Sequence, residues 1–364
     1  MIVILAMSFS QDQQEIENDA LEDIAEKVHS IVLSDEVARN IGEINYNSLY
    51  CEEHELLILH SRENRTISIV DMDGELISIF GGERLGPEEF ISIRSLTKDS
   101  DCNILVYDYQ NHLFKKFSYT GELINTYQPP SFDNYLMRGE YGVQLGENYY
   151  FGFDESRLVP AKEERAVFIK MDSSFTHFDK YGRIDRYYIE ESDDILTHPS
   201  LAYDSYNHKL IISFRLIPYF KVYDIEDDYA LVGRHGYQSP NFLMSDTPLT
   251  FELPLDEYFR VATEKSWVET PFVTRDYLVF RFYEFLGEGP ISIPIESSDQ
   301  NFFLKLYDRA NGYEYLTEIN VPYSPIAVDG DRNRLFFVDR FETEEIEIGV
   351  YELKSGLTKT SVYE

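Results

Sequence analysis

Apolar and polar residues alternate along most of the chain beyond about residue 30. Short runs rich in Ile, Val, Tyr and Phe are separated by Asp-Gly, Asn and Gly turns. This period of two predicts β-strands that are joined by tight hairpins. Residues 11–27 differ, because they are polar and carry apolar residues at every fourth position from Ile16 to Val28. That spacing predicts one weak amphipathic helix outside the main fold.

An internal repeat organises the strands. Residues 64–80 (NRTISIVDMDGELISIF) align without a gap on residues 111–127 (NHLFKKFSYTGELINTY), at an offset of 47 positions. Each copy predicts a strand, a turn that contains Gly74 or Gly121, and a returning strand. Glycine supplies the positive φ that such a hairpin turn needs.

A second repeated pattern places an aspartate shortly before an apolar strand. It occurs at Asp99, Asp204 and Asp329, each followed six residues later by a leucine. Together with the apolar runs between them, these positions divide the chain into six units of roughly 45–65 residues, each with about four strands. Units of this kind are the blades of a β-propeller. We therefore predict an all-β fold, a six-bladed β-propeller of four-stranded antiparallel blades.

The ring of a propeller has to be closed, since closure removes exposed strand edges. Either residues 358–364 or the early strand of residues 28–33 (VHSIVL) can supply the outermost strand of the last blade. We favour the N-terminal strand. The predicted organisation is a leader over residues 1–27, with an apolar segment and the polar helix, followed by the propeller domain over residues 28–364.

The leader carries part of the pattern of an export signal. Residues 2–7 are apolar, and Ser8 and Ser10 suit the small positions before a cleavage site. A basic n-region is missing and the apolar region is short. We interpret the segment as a signal peptide shortened by a late start codon. No stretch approaches the roughly 18–20 apolar residues of a membrane span.

The charge of the chain is strongly negative. It has 66 Asp and Glu against 32 Lys and Arg, which gives a formal net charge of −34. Such a surface repels phosphate backbones, so nucleic acid is excluded as an expected partner, and anionic membranes are disfavoured for the same reason.

The chain has two cysteines, Cys51 and Cys102. Two are too few for a disulfide framework and too few for a zinc site built on cysteine. We expect both to be unpaired small residues in or near strands.

One segment resembles a known family. Residues 81–90 (GGERLGPEEF) resemble the linker between the blades of NHL-like propellers, and more closely that of the six-bladed β-propeller proteins of Bacteroidetes-type bacteria. A degenerate second copy is VGRHGYQSPNF (residues 232–242). The resemblance covers most of residues 28–364. It implies the propeller fold and export to the periplasm or cell surface, but no reaction, because a shared fold does not establish a shared function.

Ligand sites in propellers usually lie at the mouth of the central channel, beside the inner strands and the loops that lead into them. The best-placed polar side chains are mostly basic, and in so acidic a chain they would favour an anionic ligand, such as an acidic sugar or a carboxylate. These candidate residues are Arg84, Glu88, Arg94, His198, Arg234 and His235.

Two of the predicted turns share a D-x-D-x-N spacing, which also opens calcium-binding loops. The glycine and glutamate of an EF-hand are missing at the positions where that loop needs them. We therefore favour an Asx-rich hairpin turn, with calcium as the lesser alternative and no other cofactor. The residues concerned are Asp99, Asp101, Asn103, Asp329, Asp331 and Asn333.

Motifs of catalysis are missing from the sequence. It has no nucleophile elbow, phosphate-binding loop or dinucleotide fingerprint. We therefore predict an exported, non-catalytic propeller that binds a ligand or protein partner at one face of the ring. The partner would be a small molecule, a glycan or an envelope protein. The alternative is a propeller-type hydrolase or lyase that acts on a glycan.

Overall fold

The fold is taken from a computed structural model of the chain. The described residues are 7–8, 19–41, 44–45, 47–61, 63–82, 86–130, 135–155, 165–185, 188, 198–236, 239–244, 247, 249, 253–285, 295–296, 300–341 and 345–359.

Strands make up most of the regular structure. Their bounds are β1 (Met7–Ser8), β2 (Ala25–Val32), β3 (Leu49–Cys51), β4 (Leu56–Ser61), β5 (Thr66–Val70), β6 (Leu76–Gly81), β7 (Ile93–Lys98), β8 (Ile104–Asp108), β9 (Leu113–Phe117), β10 (Leu123–Tyr127), β11 (Tyr135–Leu145), β12 (Asn148–Glu155), β13 (Phe168–Met171), β14 (Phe178–Tyr181), β15 (Ser200–Asp204), β16 (Lys209–Ser213), β17 (Phe220–Asp224), β18 (Ala230–His235), β19 (Trp267–Val268), β20 (Phe272–Val273), β21 (Tyr277–Phe285), β22 (Ile295–Glu296), β23 (Gln300–Asp308), β24 (Glu314–Val321), β25 (Ala327–Asp329), β26 (Arg334–Phe341) and β27 (Ile346–Leu353). The helices are α1 (Asp19–Ile24), α2 (Asp35–Ile41) and α3 (Leu255–Thr263).

The strands form six antiparallel blades around a central channel. Blades 1 to 4 are β3–β6, β7–β10, β11–β14 and β15–β18 in sequence order from the channel outward. Blade 5 has β19 and β20 sharing the inner position, followed by β21, β23 and β24, and blade 6 consists of β25, β26, β27 and β2. A single parallel bridge between Tyr141 and Leu96 joins the inner strands of blades 2 and 3. The predicted six-bladed propeller is confirmed.

The ring is closed by β2, which pairs antiparallel with β27 from Ala25 to Val32. The predicted closure by the N-terminal strand is therefore confirmed, although the strand begins within the segment predicted as a leader. Part of the predicted polar helix is present as α1, which ends at Ile24, and residues 11–18 lie outside the described part. The helix was predicted outside the main fold, but Leu21 and Ile24 are buried in the core of the propeller.

Adjacent blades pack face to face through their apolar side chains. Between blades 1 and 2, the rings of Phe80 and Phe117 stack with centroids 4.2 Å apart. Ile58 and Ile69 of blade 1 belong to the same buried cluster. The lone tryptophan, Trp267, is also buried, and its Nε1–H donates to the Ala262 carbonyl at 3.0 Å. It is a packed residue of the core.

The two aligned repeats also encode a contact between blades. Gly74 and Gly121 occupy equivalent turns, and both have a φ of +85°. A Cβ atom on Gly74 would lie 2.0 Å from the Val32 carbonyl oxygen, and one on Gly121 would lie 2.0 Å from Ser78 Oγ. Only glycine therefore allows these turns to pack against the outermost strand of the preceding blade.

Cys51 and Cys102 form a disulfide, with their Cα atoms 5.8 Å apart. The prediction of two unpaired cysteines was wrong. Cys51 ends β3 and Cys102 lies in the turn between β7 and β8, so the bond joins blade 1 to blade 2. The two positions are 51 residues apart, and only the packing of neighbouring blades brings them together.

We expect loss of the disulfide to lower the free energy of unfolding. A cross-link that closes a loop of about 50 residues stabilises a protein by about 4 kcal/mol when its effect is on the unfolded chain. A variant with Cys51→Ala and Cys102→Ala should lose up to about this amount in urea unfolding. Alkylation of the native wild type should find no free thiol. An unchanged urea midpoint, or two reactive thiols, would contradict the assignment.

Three blades bury a lysine on the third strand, Lys115 on β9, Lys221 on β17 and Lys305 on β23. Burial lowers the pKa of each lysine, and it lowers the pKa of Lys305 to about 8. The Lys305 Nζ atom lies 4.6 Å from the centroid of the Phe282 ring and 3.6 Å from Glu318 Oε2. The carboxylate does not offset the loss of water around the ammonium group.

The buried Lys305 makes stability depend on pH. Its pKa is about 8 in the folded protein, against the 10.5 of an ordinary lysine, so the unfolded chain binds more protons between these values. Stability should therefore rise with pH across that window, by up to about 3 kcal/mol. Lys305→Met should reduce the rise in guanidinium unfolding measured at pH 7.5 and 10, and Lys115 and Lys221 account for what remains. Lys170→Met, on the third strand of blade 3, is the control and should keep it. Equal pH profiles for wild type and Lys305→Met would refute the burial effect.

Candidate functional site

The inner strands of all six blades enclose a cavity of about 640 Å³ in the channel. The turns that follow the inner strands form its rim, because residues such as Glu52, Ser100, Ser205 and Asp331 line it. In an antiparallel blade the turn after the first strand and the turn after the third strand lie on the same face. We call this side of the ring the turn face.

Aspartate side chains hold the rim turns in shape. Asp99 Oδ1 accepts the backbone N–H groups of Asp101 at 3.0 Å and Asn103 at 2.8 Å. Its Oδ2 lies 2.7 Å from Lys116 Nζ. Burial works to raise the pKa of Asp99, but the hydrogen bonds from Lys116 and Asn103 outweigh it and lower the pKa. Asp204 Oδ1 likewise accepts two backbone N–H groups of its own turn, both at 3.0 Å.

The second D-x-D-x-N turn is built differently. Asp329 accepts the backbone N–H of Arg332 at 3.2 Å, whereas Asn333 Oδ1 accepts the N–H of Asp276 in blade 5 at 2.9 Å. Asp101 and Asp331 are exposed. No group of three or more His, Cys, Asp or Glu in the described ranges could hold a metal ion. The side chains of Asp99, Asn103, Asp329 and Asn333 serve two hairpin turns and a contact between blades.

Charged side chains at the rim are paired with one another. Glu52 and Lys98 form an ion pair between blades 1 and 2. Arg275 contacts both carboxylate oxygens of Asp276 at 3.3 Å. Arg309, which also lines the cavity, lies with its Nε 2.6 Å from Asp204 Oδ1. The cavity therefore presents few uncompensated charges.

The walls from blades 3 and 5 are irregular. The pairing of β11 with β12 shifts register between Met137 and Gly142. In blade 5, residues 269–271 interrupt the inner position between β19 and β20. Pro271 lies in this interruption, and proline has no N–H to donate to a neighbouring strand. Such irregularities re-aim side chains, here beside the cavity.

Two polar atoms of these walls are buried without a hydrogen-bond partner, Thr270 Oγ1 and Gln144 Oε1. Both residues line the cavity, and Thr270 is only 2% exposed. A buried polar atom without a partner costs about 1–3 kcal/mol, unless water or a ligand satisfies it. The residues that carry these atoms line the cavity, so a guest molecule can supply the missing hydrogen bonds when the side chains rotate toward it.

Tyr141 ties three inner strands together across the channel. It belongs to blade 3, and its hydroxyl donates to the Ser48 carbonyl beside blade 1 at 3.0 Å. Its ring centroid lies 6.3 Å from that of Phe272 in blade 5, with the rings edge to face. The Arg281 guanidinium lies 3.8 Å from the Phe272 centroid, and its Nε donates to the Thr270 carbonyl at 2.8 Å.

The five candidate ligand residues that the structure describes do not line this cavity. Glu88 lies exposed in the linker before β7, Arg94 is half-buried near the start of β7, and His198 precedes β15. These positions belong to the end where inner strands begin, opposite the turn face. Arg84 lies outside the described residues.

Arg234 and His235 belong to the outer edge of the ring and not to a channel mouth, since both lie on β18, the outermost strand of blade 4. The Arg234 guanidinium lies 3.2 Å from the centroid of the Tyr219 ring. The His235 ring stacks on Phe220 at 5.7 Å, and burial lowers the pKa of His235. We expected these residues near the channel because they resemble part of a linker between blades. The linker motif instead begins within β18, before the chain leaves the outermost strand.

Sequence reasoning missed Tyr141, Gln144, Thr270 and Phe272. The readable signal was Pro271, because a proline between two apolar β segments predicts an interrupted strand. Nothing in the sequence indicated that the strands of blades 3 and 5 meet through Tyr141.

Comparison with known proteins agrees with this architecture. The family model DUF5128, described as a 6-bladed beta-propeller, matches residues 10–247, which is more than half of the chain. The chain belongs to this family. A comparison with curated proteins finds no match.

Solved structures resemble this DUF5128 propeller over nearly its whole length. A DUF4221 family member from Bacteroides vulgatus has 13% identity and a TM-score of 0.64, with 91% of this chain and 98% of that chain covered. A protein from Bacteroides fragilis, described as a candidate exported protein, has 12% identity and a TM-score of 0.58, with 96% and 99% covered. At such identities the likeness shows the fold alone.

None of the helices in the described part of this DUF5128 propeller is long and apolar enough to cross a bilayer.

We expect Tyr141→Phe to destabilise the propeller without removing the ring contact with Phe272. The change deprives the buried Ser48 carbonyl of its donor, which should cost about 1–2 kcal/mol. Tyr206→Phe is the control, because Tyr206 is 72% exposed and should change stability by less than about 0.5 kcal/mol. Urea unfolding measures both variants. Equal losses in the two would show that the bridging hydroxyl contributes nothing specific.

Proposed function

We propose that the protein binds a ligand in the central cavity, entering from the turn face, and does not transform it. The observation that carries this proposal is the cavity itself. Its volume of about 640 Å³ falls within the roughly 300–1,000 Å³ of small-molecule sites. Its walls combine aromatic and apolar side chains with a small number of polar groups, which is the composition that such sites have.

The turn face is held rigid by contacts between blades, which supports a preformed site. The disulfide joins blades 1 and 2. Asp204 of blade 4 accepts the Tyr313 hydroxyl of blade 5 at 2.7 Å. Asp276 of blade 5 donates its N–H to Asn333 of blade 6. A site that is already ordered loses less conformational entropy when a ligand binds.

A second candidate function is a hydrolase or lyase that acts on a glycan. Burial, together with the charge of Glu52, raises the pKa of Asp329, whereas hydrogen bonds from Lys116 lower that of Asp99. Carboxylates whose pKa values are moved apart can divide the roles of acid and base. Asp329 is only 1% exposed, and Asp99 accepts hydrogen bonds that shape its turn. A structural role accounts for both carboxylates, so we prefer the binding function to the enzyme.

The disulfide also supports a compartment for the protein. Stable disulfides persist in oxidising surroundings and are rare in the cytosol. We infer that the chain works in the periplasm or at the cell surface, in keeping with the apolar residues 2–7. Cell fractionation, with free thiols counted in the fraction that contains the protein, tests this inference, and a cytosolic protein with two free thiols would contradict it.

The binding proposal is tested by thermal unfolding against a panel of polar small molecules and oligosaccharides. A ligand at a hundred times its Kd stabilises the folded state by roughly 2.7 kcal/mol. Ser205→Trp places a large side chain at the exposed rim and should abolish the shift. Ser173→Trp is the matched control, since Ser173 lies in the exposed turn of Asp172 between β13 and β14.

The outcomes separate the two candidate functions. A shift that is lost in Ser205→Trp and kept in Ser173→Trp supports binding in the cavity. No shift with any compound, or equal shifts in both variants, would overturn it. Products that accumulate in the wild type and not in Asp329→Asn, resolved by chromatography, would establish the enzyme instead.

A further inference from the structure

We propose that the ligand of the cavity is an uncharged, hydroxyl-rich molecule, a neutral sugar or a short neutral glycan. This inference rests on the proposed function, because it concerns the same cavity. It replaces the anionic ligand that the basic candidates in the sequence favoured, since the structure places none of the described candidates at this cavity.

The first support is the pair of polar atoms that lack partners. Thr270 Oγ1 can donate and accept a hydrogen bond, whereas Gln144 Oε1 can only accept. Both are buried and unsatisfied within the described chain. A sugar hydroxyl donates and accepts in the same way as Thr270, and it can donate to Gln144. A carboxylate could only accept, so it cannot satisfy Gln144 Oε1.

The second support is the position of these atoms on irregular strands. Thr270 lies in the interruption between β19 and β20, and Gln144 follows the register shift of β11. A regular inner strand would place both residues in the alternation of the pleat. The irregularities lie in the two blades that flank blade 4, so they shape one side of the cavity.

The third support is the state of the charges at the rim. The cationic groups of Lys98, Arg275 and Arg309 each have a carboxylate partner. The charge of each of these cations is already offset by its carboxylate, so an anionic ligand gains little net attraction at the rim. A neutral ligand does not depend on such attraction.

The fourth support is the apolar surface beside the unpartnered atoms. Phe272, Pro271, Leu201 and Ala202 line the same part of the cavity. The C–H faces of a sugar ring pack against aromatic and apolar side chains, while its hydroxyls point to polar atoms at the edge. The apolar wall matches the C–H face of a saccharide, and the unpartnered atoms match its hydroxyl groups.

The inference is tested with matched neutral and acidic probes. Isothermal titration with xylotriose, mannotriose and maltotriose is compared with trigalacturonic acid, at 20 mM and 300 mM salt. We expect a neutral saccharide to bind with a Kd that is the same at both salt concentrations, because no ion pair forms.

The unpartnered atoms are tested by near-isosteric variants. Thr270→Val removes the hydroxyl, and Gln144→Leu removes the amide. Each should raise the Kd for the neutral saccharide about fivefold to tenfold. Thr270→Val should also melt no lower than the wild type, since the hydroxyl has no partner to lose. Thr126→Val, exposed on the outer strand β10, is the control and should leave the Kd unchanged.

Each of the following outcomes would overturn the inference that the ligand is a neutral saccharide. None of them decides the proposed binding function, which is tested separately by thermal unfolding. Binding of trigalacturonic acid alone, weakened by salt and by Arg275→Gln, would show an anionic ligand in the same cavity. Neutral binding that survives Thr270→Val and Gln144→Leu would show that the unpartnered atoms are not used. Failure of all four saccharides would exclude the sugar class, whereas a shift with another compound would still support the cavity as a site.

Discussion

Closure of the ring by the pairing of β2 with β27 is the constraint on which the other features depend. Lys27 reinforces it, with Nζ 2.7 Å from Asp339 and 2.9 Å from Glu347. Burial works to lower the pKa of Lys27, but its bonds to these carboxylates raise it overall. Because β2 precedes blade 1 in sequence and completes blade 6, the first and last blades are held together, and the six blades cannot separate one by one. A closed ring keeps its six inner strands around one channel, so it sets the walls of the cavity.

Several contacts between blades lie on the turn face. The disulfide, the Asp204–Arg309 ion pair and the hydrogen bond from Asp276 to Asn333 all tie one blade to the next there. The same turns form the rim of the cavity. A surface that positions a ligand benefits from such ties, since each removes freedom that binding would otherwise have to remove. Structure and proposed function therefore depend on the same group of contacts.

The cavity contrasts with the chain around it. The protein has a formal net charge of −34, yet the cations at the rim are paired and the side facing blades 3 to 5 is mainly uncharged. Excess negative charge therefore lies elsewhere on the surface, where it keeps the protein hydrated and repels polyanions. A neutral saccharide is one ligand class whose approach this charge does not oppose.

Local features of the sequence determined the blades. The period of two, the turn glycines Gly74 and Gly121, and the aspartates that precede the second strand in three blades are short-range patterns. Hairpins and their number could therefore be predicted, together with the strand that closes the ring. The disulfide and the site were decided only by tertiary structure. Cys51 meets Cys102 because neighbouring blades pack face to face, and Tyr141 meets Phe272 because the inner strands of blades 3 and 5 face the same channel. The spacing of residues along the chain does not show which side chains the closed ring brings into contact. The cavity could therefore not be predicted from the sequence.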